Sequence, residues 1–229
     1  MLDSTFFILM ATGLGVGMLH AFDADHVLAV ASLSGKKKTF LSILKYSLKW
    51  GFGHGGILLL CGALFLLWGV EPSETLVRFA ELTVGIILCV CGLYLLWSLK
   101  SNNLQIIEHQ HGDVTHTHLV QTPKGKSYNV IFKHEHAPVL VGFIHGLAGS
   151  APVIALLPSL MMGNSAVAFL YLLLFSLGCL AGMTAFGLVL AQGQSQIHRM
   201  SMRTVKCFRG VLGSVSLIFG TYWLVQFAS

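Results

Sequence analysis

Charged residues are scarce in this sequence, since Asp, Glu, Lys and Arg together make up 10% of its 229 residues. An ordinary soluble domain carries about 25% charged residues, so this chain has too few charges to cover a water-facing surface. The alternating ten-residue segments that build membrane β-barrels are also missing. Instead, apolar runs near or above the roughly 18–20 residues needed to cross hydrocarbon recur along the chain. The sequence therefore predicts an all-α, polytopic membrane protein.

Motifs for nucleotide hydrolysis and for common enzyme chemistry are absent as well. The sequence contains no Walker A motif, no HExxH and no Ser-His-Asp constellation. Its cysteines form no CxxC pair and lie in or at the ends of apolar runs, where small packing residues are the default interpretation. They are Cys61, Cys89, Cys91, Cys179 and Cys207. We expect a protein that is not an enzyme and that carries no cofactor of its own.

Six apolar segments predict six transmembrane helices. They cover residues 5–33, 47–70, 79–99, 138–161, 166–191 and 208–227, so that residues 1–100 and 138–229 each hold three spans and residues 101–137 link them. The first segment does not resemble a signal peptide, because Met1–Ser4 has no Lys or Arg and because ionisable residues lie in the middle of the segment.

The basic residues are concentrated in alternate connections. Thirteen of the 14 Lys and Arg residues lie in or beside the first, third and fifth connections, and only Arg78 lies elsewhere. The positive-inside rule then predicts a cell-membrane protein with cytoplasmic odd-numbered connections and both termini outside. A net charge of +5 would suggest nucleic acid for a soluble protein. Here the distribution indicates the lipid bilayer as partner and no nucleic acid.

The two halves of the chain match each other. Gly17-Met18-Leu19-His20 in the first span corresponds to Gly142-Phe143-Ile144-His145 in the fourth, 125 residues later, and the same offset carries Gly53 onto Gly178. Glycines and a tyrosine of the third and sixth spans match at an offset of 128. Because three spans are an odd number, the second copy would enter the membrane from the opposite face. Such inverted repeats are common in secondary transporters, which bind substrate near the midplane.

The linker between the halves is rich in histidine, in the pattern His-x-His three times over. The residues are His109, His111, His116, His118, His134 and His136. No helical or strand period is sustained, so we expect a mobile cytoplasmic linker. It would bind nickel, zinc or copper weakly and in many geometries, as a metal buffer or sensor. The alternative is a solvated loop whose histidine content is incidental.

A cluster of ionisable residues lies inside the first span. His20, Asp23, Asp25 and His26 fall within seven positions. A charge at the bilayer centre costs about 2.5–3.5 kcal/mol on insertion scales, so such residues usually face a cavity and serve a function. On an ideal helix Asp25 points away from the other three, so the helix must bend or unwind if Asp25 joins the same site.

Two further intramembrane histidines, His54 in the second span and His145 in the fourth, can approach this cluster from neighbouring helices. A mixed set of imidazole and carboxylate ligands indicates a borderline divalent ion rather than copper(I). The alternatives are hydrogen bonds between helices and a proton relay. The sequence therefore predicts a metal site formed by His20, Asp23, Asp25, His26, His54 and His145.

The sequence His20-Ala21-Phe22-Asp23-Ala24-Asp25-His26 resembles the His-x4-Asp-His signature of the nickel/cobalt transporter family. Phe52-Gly53-His54-Gly55-Gly56 is similar to the Gly-His motif that this family carries in the following span. The resemblance implies that His20, Asp25, His26 and His54 contact the metal or set its selectivity, with Asp23 as an adjacent signature position.

The second half departs from the family pattern. Gly142-Phe143-Ile144-His145 lacks the family's acid, and Gly182-Met183 is followed by Gly187 where an acid is expected. The short chain looks more like the compact branch related to urease-accessory UreH-type permeases, which makes nickel the first choice of ion. These departures leave selectivity and direction of transport open.

The function that these observations favour is transport of Ni²⁺ or Co²⁺ as substrate, with a cytoplasmic metallochaperone and a second copy of the chain as possible partners. A membrane metal sensor or metalloenzyme-assembly partner, which binds metal without moving it, is the alternative. A membrane thiol-redox carrier would need cysteines at corresponding positions of the two repeats. At the 125-residue offset, however, Cys179 corresponds to His54.

Overall fold

The computed structural model describes residues 4–34, 40–70, 72–100, 104–111, 114–121, 136–148, 164–195 and 201–228. Within these ranges the chain forms seven helices and one two-stranded hairpin. The helices are α1 (Ser4–His20), α2 (Ala24–Ser34), α3 (Phe40–Trp68), α4 (Glu74–Lys100), α5 (Ala137–Leu147), α6 (Ser165–Ser195) and α7 (Met202–Ala228), and the strands are β1 (Leu104–His111) and β2 (Val114–Gln121).

Four helices, α3, α4, α6 and α7, are each long and apolar enough to cross a membrane. The predicted first span is divided into α1 and α2, which meet at an angle of 53° and together could form a fifth crossing. The fourth predicted span is represented by the 11-residue apolar helix α5, and the rest of that span lies outside the described residues. The protein is thus a multi-pass helical membrane protein.

Several helix ends lie beyond the apolar segments that predicted them. The α3 helix begins at Phe40, seven residues before the predicted start, and includes Lys45 and Lys49. A run of apolar residues marks only the part of a helix that lies in the hydrocarbon of the bilayer. The helix itself can continue past this run until its backbone is capped. At its other end α3 stops at Gly69, whose positive φ of 66° lets its N–H donate to the carbonyl of Phe65.

The helix starts follow from local sequence. The side-chain oxygen of Asn164 accepts hydrogen bonds from the N–H groups of Ala166 and Val167, at 3.0 and 3.3 Å, and so caps the start of α6. Ser201 caps α7 in the same way through the N–H of Thr204. These caps satisfy N–H groups that have no partner within the helix.

The linker differs from the irregular loop that the sequence predicted. Residues 104–121 form an antiparallel hairpin in which β1 pairs with β2 from Leu104↔Gln121 to His111↔Val114. The predicted helical class holds for the membrane helices, and the hairpin lies outside them. The signal was weak because histidine, glutamine and threonine alternate there without a clear apolar face, so the period of two carried no hydropathy contrast.

The membrane helices pack in a pattern that links the two halves. The α1 helix packs along α6, α3 along both α5 and α6, and α4 along α7. Trp50 on α3 and Phe175 on α6 are completely buried between these helices. Large apolar side chains on the outer surfaces are exposed, as expected for helices that contact lipid.

Close helix contacts at glycines recur at corresponding positions of the two halves. A Cβ atom on Gly17 would overlap the carbonyl of Phe175, and one on Gly142 would overlap the carbonyl of Trp50. Gly142 and Phe175 lie 125 residues after Gly17 and Trp50, respectively. Each half therefore uses the same glycine to approach the other half closely.

Two glycines of α3 provide a test of these close helix contacts. Gly53 lies against the carbonyl of Val139, whereas Gly56, one turn further along α3, has no atom near its missing Cβ. We expect Gly53→Val to destabilise the protein by about 1–3 kcal/mol or more, because overpacking displaces a helix backbone. Gly56→Val should leave the midpoint of thermal unfolding in detergent much less changed. Equal shifts for the two variants would contradict this packing.

Candidate metal site

The site begins at the break between α1 and α2. After His20 the chain makes two tight turns, in which the N–H groups of Phe22 and Asp23 donate to the carbonyls of Leu19 and His20, at 2.9 and 3.0 Å. The α2 helix then starts at Ala24 in a new direction. This is the bend that the sequence required if Asp25 was to join the cluster.

Three histidines converge at this break. His20 lies at the end of α1, His26 in the first turn of α2, and His54 near the middle of α3. One ring nitrogen from each lies within 4.8 Å of the others, and in the described part of the chain this is the only such group of metal-ligating side chains. The ring centroids of His26 lie 4.7 Å from those of both His20 and His54, so His26 is the central member.

Each of the two aspartates contacts the Nδ1 atom of a histidine ring. Asp23 Oδ2 lies 2.7 Å from His20 Nδ1, and Asp25 Oδ1 lies 2.9 Å from His26 Nδ1. A carboxylate only accepts hydrogen bonds, so each Nδ1 carries a proton, and in the neutral imidazole the Nε2 lone pair is then available to a metal. Carboxylate–histidine pairs of this kind fix the ring orientation of metal ligands.

Unpartnered nitrogen atoms lie at the centre of this group. Within the ranges that the structure describes, His20 Nε2, His26 Nε2 and both ring nitrogens of His54 are buried and form no hydrogen bond. A buried polar atom without a partner costs about 1–3 kcal/mol. Three such imidazoles at one place therefore indicate a site for a metal ion, which would accept the nitrogen lone pairs.

His145 lies beside this group, and not within it. Its Nδ1 donates to the carbonyl of Val141 at 2.9 Å, while its buried Nε2 has no hydrogen-bond partner among the described residues. Its ring centroid is 5.8 Å from that of His26. The fourth predicted histidine thus approaches the group from α5 and has the same tautomer as His20 and His26.

The sequence predicted six metal-binding residues in the membrane. The structure brings all six close together, but only three of them point ligand atoms at one another. Three are histidines whose nitrogens approach one another, one is the adjacent His145, and the two aspartates are partners of imidazoles. Of the six linker histidines, four lie in the hairpin strands, His136 lies just before α5, and His134 lies outside the described residues.

Two aromatic residues of the site were missed by sequence reasoning. The Trp50 indole stacks on the His54 ring with an interplanar angle of 9° and a centroid distance of 5.2 Å. The Phe175 ring lies 5.6 Å from that of His20. A signal existed for both, because Trp50 is one helical turn before His54 and Phe175 is its counterpart at the 125-residue offset. These aromatic walls keep the imidazoles in a low-dielectric environment.

Three cysteines pack against different parts of the core. Cys91 packs with Trp50 and Met183, Cys61 packs against the cluster that contains Leu88, and Cys179 packs with Phe175. None of the five cysteines forms a disulfide bond. No cysteine belongs to the group of ligand atoms found among the described residues.

Comparison with known proteins gives two matches. Residues 26–222 match the family described as "Cytochrome C biogenesis protein transmembrane region". The chain is also 30% identical over 218 residues to the urease accessory protein UreH of Bacillus sp. (strain TB-90), which covers 94% of this chain and 90% of that relative. No solved structure matches the chain.

Proposed function

This chain belongs to the family of cytochrome C biogenesis protein transmembrane regions and is related over nearly its whole length to a urease accessory protein, and we propose that it transports a divalent transition metal ion across the membrane. The observation that carries this proposal is the group of three imidazoles whose buried nitrogens have no hydrogen-bond partner. Nickel is the substrate that we propose first, because the relative is named for urease and the motifs resemble those of nickel/cobalt transporters.

The donor set suits a borderline divalent ion. Imidazole nitrogen is a ligand for nickel, zinc and copper(II), whereas magnesium and calcium prefer oxygen. We propose that the Nε2 atoms of His20 and His26 and one ring nitrogen of His54 bind the ion, with Asp23 and Asp25 holding the first two rings. The two carboxylates also balance the charge of a divalent ion, which lowers the cost of placing that charge among buried apolar side chains.

The different exposure of the two aspartates supports a proposal for where the metal ion enters the site. The side chain of Asp23 is 54% exposed, whereas that of Asp25 is 13% exposed. An ionised carboxylate inside a membrane protein needs contact with water, so we infer that water reaches the break between α1 and α2 beside Asp23. The ion would lose its water stepwise there, first at His20 and then at the more deeply buried His26 and His54.

The position of His145 supports a second station for the ion. The ring centroid of His26 lies 4.7 Å from that of His20 and 5.8 Å from that of His145. His20 and His145 also occupy corresponding positions of the two halves, and each lies beside the aromatic residue of the other half. Transfer of the ion from the group of three histidines to His145 would then accompany a shift of one half against the other.

The reciprocal glycine contacts support our further proposal that the chain consists of two inverted three-helix repeats. An odd number of spans per repeat, together with the one-sided distribution of Lys and Arg, favours a cell-membrane protein with both termini outside and the linker in the cytoplasm. The distribution of the cysteines over separate clusters does not favour a thiol-redox carrier.

Flux into proteoliposomes tests the proposed function. We expect saturable uptake of Ni²⁺ by vesicles containing the purified protein, with competition by Co²⁺ and little competition by Mg²⁺, because the ligands are nitrogen atoms. Metal entry is measured with a fluorescent chelator trapped inside the vesicles. If the protein binds Ni²⁺ but no flux occurs in either direction under any gradient, the metal sensor or assembly-partner function replaces transport.

A cysteine-free variant separates metal transport from thiol chemistry. Replacing all five cysteines with alanine should leave Ni²⁺ flux within about twofold of the wild type, because none of them belongs to the ligand group found in the described residues. Correct folding is checked by monodisperse elution in detergent. Loss of flux in a folded cysteine-free protein would favour the thiol-redox alternative.

A further inference from the structure

One arginine near the start of α7 has a buried nitrogen without a partner. The Arg209 side chain is half-buried, and its Nε atom is shielded from solvent and forms no hydrogen bond within the described residues. No carboxylate of the described residues forms a salt bridge with it. A guanidinium stays charged in proteins, and leaving a buried donor of a charged group unpaired is costly. The position therefore calls for an acceptor from outside the chain.

Arg209 lies where α7 packs against the end of α4. The two helices are antiparallel, with Gly210 against Leu99 near the end of α4. Arg209 is one turn before Gly213, whose missing Cβ faces α4, so Arg209 is on the same side of α7. The α4 side chain of Tyr94 interacts electrostatically with Arg209, and it contributes a hydroxyl rather than a carboxylate. The guanidinium is thus held between two helices at one end of the pair.

The neighbours of Arg209 in the sequence are basic, and acids are missing from both helices at this end. Arg203 and Lys206 precede Arg209 at intervals of three residues, so consecutive members are neighbours on the helix surface. Residues 136–229 contain no Asp or Glu, and α4 contains none after Glu81. Like charges at this spacing repel each other. An anion bound among the three basic side chains would offset that repulsion.

The other end of the same helix pair shows a different arrangement. The offset of 128 residues that relates the third and sixth spans carries Glu81 onto Arg209. Glu81 is buried, and its Oε2 atom accepts a hydrogen bond from Nε1 of Trp223 at 2.6 Å. At this position of the first half, the buried charge has a partner within the protein. Unpaired burial is therefore not a general property of the α4–α7 contact, and it distinguishes Arg209.

The surface beside Arg209 suits a lipid. The adjacent residues Phe208 and Val211 are 63% and 59% exposed, and Val215 and Ile218 continue the exposed apolar face along α7. Arg209 lies at the end of this apolar segment, at the level where lipid headgroups meet a span. A phospholipid satisfies both features at once, because its acyl chains cover the apolar face while its phosphate reaches the guanidinium.

We propose that Arg209, together with Lys206 and Arg203, binds the phosphate of an anionic phospholipid at the end of the α4–α7 pair. The phosphate oxygens accept hydrogen bonds from the guanidinium, whose planar fork matches their geometry. Three positive charges favour a headgroup with net negative charge, as in other basic pockets between transmembrane helices. The bound lipid would hold the end of α4 to the start of α7. This inference does not rest on the transport function, since it involves no residue of the metal site.

Lipid binding to the full-length protein in detergent tests the site. Native mass spectrometry resolves each bound lipid, so the protein is titrated with phosphatidylglycerol and, separately, with phosphatidylcholine of the same acyl chains. We expect one phosphatidylglycerol to bind at least about tenfold more tightly than phosphatidylcholine. Arg209→Gln should weaken this binding about 10–100-fold, as expected for loss of hydrogen bonds to a charged group. The matched control Arg203→Gln removes the same charge from an exposed arginine and should weaken binding about fivefold or less.

A second variant and a soluble competitor complete the test. Arg209→Lys keeps the charge but lacks the fork and should also bind phosphatidylglycerol more weakly than the wild type, with unchanged elution in detergent. Affinity equal to the wild type in this variant would contradict binding through the guanidinium. Equal losses in Arg209→Gln and Arg203→Gln would show attraction by surface charge alone. Displacement of the lipid by inorganic phosphate at a similar concentration would assign the site to a free anion instead.

Discussion

Replacing His26 with alanine is expected to reduce Ni²⁺ flux by about 100-fold or more. Even the outer partners of metal ligands account for about 10–100-fold in metal affinity, and His26 is the one ring that lies close to His20, His54 and His145. Its removal would take away the imidazole that lies closest to both His20 and His145 in the proposed path of the ion. Flux into proteoliposomes, measured over a range of Ni²⁺ concentrations, gives the effect.

A second variant separates loss of the ligand from loss of the fold. Alanine at position 26 leaves the carboxylate of Asp25 without its partner, and breaking a buried pair can cost about 3–5 kcal/mol. His26→Asn removes the imidazole but keeps a short amide side chain that can donate to Asp25. We expect this variant to elute as the wild type does and still to lack flux. Full flux in a folded His26→Asn protein would exclude His26 as a ligand.

Replacing Asp25 with asparagine is expected to have a graded effect. The amide keeps the shape of the side chain but loses the negative charge that holds the proton on His26 Nδ1. We therefore expect the KM for Ni²⁺ to rise about 10–100-fold with flux retained at saturating metal, as is typical when a partner of a metal ligand is changed. The corresponding change at Asp23 should be smaller, because water screens the more exposed carboxylate.

This comparison decides between two roles for the aspartates. The resemblance to nickel/cobalt transporters implies that Asp25 contacts the metal, whereas the structure places its carboxylate 2.9 Å from a histidine ring. If Asp25 is a ligand, Asp25→Asn should abolish flux as completely as His26→Asn does. X-ray absorption of the Ni²⁺-loaded protein gives an independent measure, because an unchanged number of imidazole ligands in Asp25→Asn is expected only for an orienting role.

The 125-residue correspondence between the two halves shows where the proposed site is asymmetric. The offset of 125 residues carries His20 onto His145 and Trp50 onto Phe175, but it carries His54 onto Cys179. Cys179 is buried beside Phe175 in an apolar cluster. The two halves thus share glycines and aromatic residues at corresponding positions. Within the described residues, the three converging imidazoles all come from the first half.

The sequence by itself determined the membrane character, the helical class and the identity of the central residues. Long apolar segments identify spans because hydrocarbon excludes unpaired backbone groups, and this effect acts on each segment independently. The cluster from His20 to His26 was recognisable for the same reason, since ionisable residues inside an apolar run carry a large cost that function must offset. Such features can be recognised within one segment of the sequence, without knowing which helices pack against it.

Only the tertiary structure decided how these residues are arranged. The 53° bend after His20, the pairing of each aspartate with a ring nitrogen, and the stacking of Trp50 on His54 depend on helices that are distant in sequence. Residue type and spacing specify which ligands are available, but distances between separate elements arise from packing, and those distances determine what the ligands can bind.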